Sequence, residues 1–185
     1  MMKFLILPAV VALSALAACG GGGSSSDPAP APTPADAVVR AKALNTEYAG
    51  TTATVAAAMP ATGQASYAGA AVFGKGTDMD ALLQAPTMSG DMALNADFAT
   101  GAVTGGIDNF RDAANAPISG QMTVSGAQIA GAVLGGDLTG TVGGKDVNAQ
   151  MSGSFLGADA EAVRGVIADG AGATGAFNGA FIVAR

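Results

Sequence analysis

Histidine and tryptophan are absent from this 185-residue chain, and cysteine occurs once, at Cys19. Without histidine there is no Ser-His-Asp or Cys-His nucleophile system, no ordinary zinc site and no histidine-ligated haem. A single cysteine excludes a disulfide within the chain, so packing and strand pairing alone must hold the fold. Basic residues are also scarce. Eight Lys and Arg stand against fourteen Asp and Glu, for a net charge of −6. With no basic cluster, the chain is not built for nucleic acid or an anionic membrane surface, and the negative charge serves solubility.

Glycine is what the chain has in abundance, at 28 residues. A large apolar residue, glycine and an apolar residue recur at spacings of two in eight copies. These begin at Tyr67-x-Gly69-x-Ala71, Met88-x-Gly90-x-Met92, Val103-x-Gly105-x-Ile107 and Ile118-x-Gly120-x-Met122. They continue at Leu134-x-Gly136-x-Leu138, Met151-x-Gly153-x-Phe155, Val163-x-Gly165-x-Ile167 and Phe177-x-Gly179-x-Phe181. The spacing puts each trio on one face of a strand. Eight such strands predict a small closed barrel whose middle layer has little room for side chains. Strand glycine costs about 0.5–1 kcal/mol against alanine, so eight of them require a structural reason.

The strand expected over Thr87 to Phe98 alternates strictly, with Met88, Gly90, Met92, Leu94, Ala96 and Phe98 on one face and polar residues dominating the other. Such alternation predicts one buried and one wet face. Turn signals at Thr100-Gly101, Asn115-Ala116-Pro117, Gly143-Gly144, Gly157-Ala158-Asp159 and Gly170-Ala171-Gly172 separate the strands. Short turns predict an antiparallel, up-and-down order. The expected fold is therefore all-β, an eight-stranded antiparallel up-and-down barrel over residues 60–185. A short helical segment over 36–59 precedes it, capped by Asp36 and weakened at Gly50-Thr51-Thr52. A membrane-spanning barrel would need an apolar outer face with aromatic girdles, whereas here the apolar phase carries the glycines.

The first residues read as a secretion signal over 1–18: Lys3, an apolar run from Phe4 to Ala15, then Leu16-Ala17-Ala18-Cys19. That tetrapeptide has the layout of a lipobox, which makes Cys19 the expected lipidation site and outer-membrane lipid its partner. The alternative is an ordinary cleaved signal that leaves a lone thiol. Residues 19–35, rich in Gly, Ser and alternating Pro, read as an extended tether.

No residue set is expected to be catalytic, metal-binding or cofactor-binding. The carboxylate pairs Asp78 with Asp80 and Asp108 with Asp112 read as solvated loop charges, with weak calcium or acid–base roles as the alternative. Gly170-x-Gly172-x-x-Gly175 leads into a strand rather than a helix, and Gly143-Gly144-Lys145-Asp146 lacks the rest of a phosphate loop, so both read as turns. The longest connection, Gly74 to Pro86, holds a short helix whose Met79, Leu82 and Leu83 share one face. That face either folds back to plug one end of the barrel or stays exposed and docks a protein partner.

The stretches MPATGQASYAGAAVF (Met59 to Phe73), LNADFATGAVTGGIDNF (Leu94 to Phe110) and MSGSFLGADAEAVRGVIADG...GAFNGAFIVAR (Met151 to Arg185) resemble the barrel domain of transferrin-binding protein B and its lipoprotein relatives. The resemblance implies an eight-stranded barrel on an outer-membrane lipoprotein. With it comes a binding or interaction role at the envelope, in acquisition of a nutrient such as an iron or haem complex, with an outer-membrane receptor or another protein as partner. It does not carry over transferrin binding, because only 36–59 stands where the receptor's lobes have a separate handle domain. The alternative is a structural or accessory envelope lipoprotein without a soluble ligand.

Overall fold

Gly69 faces Met92 on one side and Val183 on the other, so the second strand and the last both flank the first. This closes the sheet. The structure, a computed structural model, describes residues 34–76, 78–169 and 177–185. The signal segment, Cys19, the tether up to residue 33 and the Gly170-x-Gly172 motif lie outside them. The strands are β1 (Gln64–Gly74), β2 (Pro86–Asp97), β3 (Ala102–Asp112), β4 (Gly120–Ala130), β5 (Val133–Val142), β6 (Lys145–Leu156), β7 (Ala162–Asp169) and β8 (Gly179–Ala184). Each pairs antiparallel with the next, and β8 returns to β1 in a closed eight-stranded barrel. Helix α1 (Pro34–Glu47) precedes the barrel, and helix α2 (Met79–Gln84) joins β1 to β2.

The interior is filled by the apolar phase of the strands, including Tyr67, Phe73, Met92, Leu94, Ile107, Met122, Leu138, Met151, Phe155 and Phe181, all nearly inaccessible to solvent. Glycines stand beside large residues in this layer. A Cβ on Gly153 would lie 2.9 Å from Phe181 Cζ, and one on Gly179 would lie 2.6 Å from Phe73 Cδ1. The shortage of room explains these positions. It does not explain Gly69, where a Cβ would strike the Ile182 carbonyl and lie 2.7 Å from Val183 Cα on β8. There the coiling of the strands brings neighbouring backbones too close for any side chain.

The segment before the barrel differs from the expected 36–59 helix. Helix α1 starts at Pro34, which puts Asp36 in its first turn rather than at its cap, and it stops at Glu47 ahead of the Gly50-Thr51-Thr52 breaker. Beyond it the chain becomes a strap along the end of β6. Thr54 N donates to the Phe155 carbonyl at 2.8 Å, Gly157 N donates to the Thr52 carbonyl at 3.1 Å, and the Thr54 hydroxyl donates to the Gly157 carbonyl at 2.7 Å. A 3₁₀ turn at Ala56–Ala58 follows, and Met59 packs on the core.

The second half of β1, and β8, are also not wet on their outer face. Their outward residues Ala70, Val72, Ala180 and Ile182 are buried with Ala37 and Ala41 of α1 and Met79, Leu82 and Leu83 of α2. A second, smaller apolar layer therefore lies outside the barrel wall. The small Ala37 and Ala41 let α1 approach the sheet closely.

Candidate functional site on the outer wall

The expected plug or docking face is neither. Asp78 caps α2 by accepting from Ala81 N at 2.9 Å, and the helix turns Met79, Leu82 and Leu83 onto the outside of β1 and β8. They are 6%, 0% and 7% exposed, which leaves no apolar face of α2 free for a partner. The physical reason is the apolar outward phase of β1 and β8, which needs a cover.

The carboxylates Asp78, Asp80, Asp108 and Asp112 are all exposed, and Asp78, Asp80 and Asp112 each take separate partners. Asp80 accepts from Asn45 Nδ2 at 2.7 Å, tying α2 to α1. Asp112 Oδ1 accepts from Ala114 N at 2.9 Å and Ala116 N at 2.8 Å, organising the β3–β4 turn. Asp112 makes local turn contacts, while Asp80 makes a long-range one between the two helices.

What the fold assembles instead is a polar cluster beside α1 on the wall of β1 to β4. Arg40, midway along α1, donates from Nη1 to the Gly69 carbonyl and to Asp91 Oδ1, both at 2.9 Å. Asn109 Nδ2 donates to Asp91 Oδ2 at 2.9 Å. A bulge makes this possible, because Asn109 and Phe110 on β3 together face Gly90 on β2. Asn109 adopts φ 50°, its side chain stays on the wall, and Phe110 turns into the core at 1% exposure. Asp91 lies directly across the ladder from Asp108. Partial desolvation by the wall, and then the Asp91 charge, push the Asp108 carboxyl above the ordinary value.

Next to this cluster the wall is hollow. Ala68, Ala93, Gly105 and Gly106 floor a groove of about 490 Å³ that Arg40 and Gln121 also line. The alternating polar phase in β2 shows Asp91 as an outward residue, but nothing in the sequence pairs it with Arg40, 51 positions away. Among the described residues, no group of three or more Asp, Glu, Cys or His gathers to hold a metal.

The closed antiparallel barrel with a helical cover on one wall defines the class, a small barrel module with its side chains packed inside. The particular family follows from the sequence over residues 59–184, which matches the model of the C-lobe and N-lobe β-barrels of transferrin-binding protein B. The chain belongs to that family. Among solved structures it is similar to a single mutant of the vaccine antigen transferrin-binding protein B from Haemophilus parasuis Hp5, at 18% identity and a TM-score of 0.48 over 71% of this chain. It is similar to a double mutant of the same antigen at 19% identity and 0.48 over 72%. The third is intact Ap-TbpB with its N and C lobes, at 18%, 0.48 and 71%. The aligned part is only 27–28% of each of those chains. No curated protein matches.

Proposed function

We propose that this protein is a lipid-anchored barrel of the outer membrane that works as an interaction module for a protein partner in nutrient acquisition, such as uptake of an iron or haem complex. The observation that carries the reading is the family match over the whole barrel. The sequence supports a non-enzymatic role, since it has no histidine and places its lone cysteine in a lipobox. The related receptor is named for binding transferrin; here the ligand class is left to the partner itself.

Two experiments test the reading. Cys19→Ala should move the protein from the outer-membrane pellet to soluble fractions, and retention in the pellet would overturn the anchor. Cross-linking on intact cells followed by affinity purification should recover a defined envelope protein in stoichiometric amount. Recovery of the chain alone would favour a structural envelope role instead.

A further inference from the structure

Asp91 and Asp108 face each other across the β2–β3 ladder on the outer wall, an arrangement in which like charges repel. Among the described residues, one cation, Arg40, lines the groove beside the two. Arg40 and Asn109 occupy both oxygens of Asp91, and no salt bridge to Asp108 forms among the described residues. Beside Asp108 the groove floor of Ala68, Ala93, Gly105 and Gly106 presents nothing larger than a methyl group. The β3–β4 ladder is interrupted next to it, between Val103 and Gly106, so the hollow follows a seam in the sheet. Its volume, about 490 Å³, lies within the range of small-ligand clefts, about 300–1,000 Å³.

We propose that this groove seats a lysine or arginine side chain of a protein partner, with Asp108 as its counter-ion and the small-residue floor against its aliphatic stem. The occupant is identified by charge. The groove holds two carboxylates against one guanidinium that is already engaged, and the whole chain carries −6. A basic partner is drawn by the second and held by the first. The raised Asp108 carboxyl agrees, because an incoming cation offsets both the partial desolvation and the Asp91 charge that raise it. The inference rests on the interaction-module reading and specifies the chemistry of the partner at one position.

The test uses the full-length chain in non-ionic detergent, labelled for amide NMR and titrated with the capped tripeptides Ala-Lys-Ala and Ala-Arg-Ala, with Ala-Gln-Ala as the neutral control. The expected result is saturable shifts at Gly105, Gly106, Asn109 and Thr123 with the basic peptides and none with the neutral one. Asp108→Asn should weaken binding about tenfold, while Asp137→Asn, a wall carboxylate outside the groove, should leave it unchanged. Shifts scattered over all the carboxylates, binding undiminished in Asp108→Asn, or equal binding of Ala-Gln-Ala would each overturn the proposal. Absence of peptide binding overturns the groove alone and leaves the cell cross-linking to judge the module reading. Peptide binding with no partner recovered from cells would count against that reading and support the groove.

Discussion

Tyr67 and Arg185 meet at the strap end of the barrel, where Arg185 Nε donates to the Tyr67 hydroxyl at 3.3 Å. The hydroxyl in turn donates a hydrogen bond to the Ala160 carbonyl at 2.7 Å, and the guanidinium lies 5.6 Å from the Tyr67 ring centre and 5.8 Å from that of Phe98. Tyr67 is 2% exposed, so its polar tip has no water to fall back on. Tyr67→Phe should cost about 1–2 kcal/mol, because it leaves a carbonyl short of its donor. Arg185→Ala should cost less, since Arg185 is exposed. Urea midpoints of the two variants check the order.

The two kinds of barrel glycine should separate on substitution. Gly153→Ala pushes a methyl to 2.9 Å from a ring atom of Phe181, which can shift, and should cost about 1–3 kcal/mol. Gly69→Ala drives the same methyl into β8 backbone, which cannot shift without opening the β1–β8 ladder, and should cost more. Gly50→Ala is the control, with nothing within 4 Å, and should leave the melting temperature nearly unchanged. Equal losses for Gly69→Ala and Gly50→Ala would overturn the account.

Leu82→Ser with Leu83→Ser should destabilise by at least about 3 kcal/mol, from two buried apolar side chains lost and two hydroxyls placed against Val72 and Ile182. A parent-like melting temperature would show that the outer layer contributes nothing to the fold.

The raised Asp108 carboxyl gives a pH-dependent contribution of definite sign. The native state holds this proton more tightly than the unfolded chain, whose value is near 3.8. The resulting stability is complete below 3.8 and is lost as pH rises through the higher native value. Asp91 and Arg40 are the charged groups facing it. Asp108→Asn removes the penalty, so the variant should be the more stable at pH 7, with the difference shrinking as pH falls toward 3.8. Thermal melts at several pH values check this, and a constant difference would contradict it.

The barrel was legible because its code is periodic: apolar and glycine positions at spacing two on each strand, with turn residues between. Helix α1 was partly legible, and its early end at Glu47 agrees with the Gly50-Thr51-Thr52 breaker. The strap was hidden because main-chain bonds such as Thr54 N to the Phe155 carbonyl leave no side-chain pattern. The outer apolar layer did have a signal. In the second half of β1 and in β8 the outward residues Ala70, Val72, Ala180 and Ile182 are apolar, where β4 to β6 carry Thr123, Thr139 and Asn148. An apolar outward phase on two strands demands a cover, and α1 and α2 are it. The Arg40–Asp91–Asn109 cluster was illegible because it depends on a helix crossing the wall and on a bulge at Asn109, neither written in local periodicity.

The closure of β1 onto β8 also sets when the molecule can fold. Ala68 pairs with Ala184, so the closing pairing spans a loop of more than a hundred residues and waits for β8. Before it forms, β1 and β8 present open edges, and loop-closure entropy is spent ahead of its return. Folding rates for such non-local topologies fall in the millisecond-to-second range. The ring therefore stays open until β8 is available, and a truncation that removes β8 should yield an aggregating product rather than a smaller barrel.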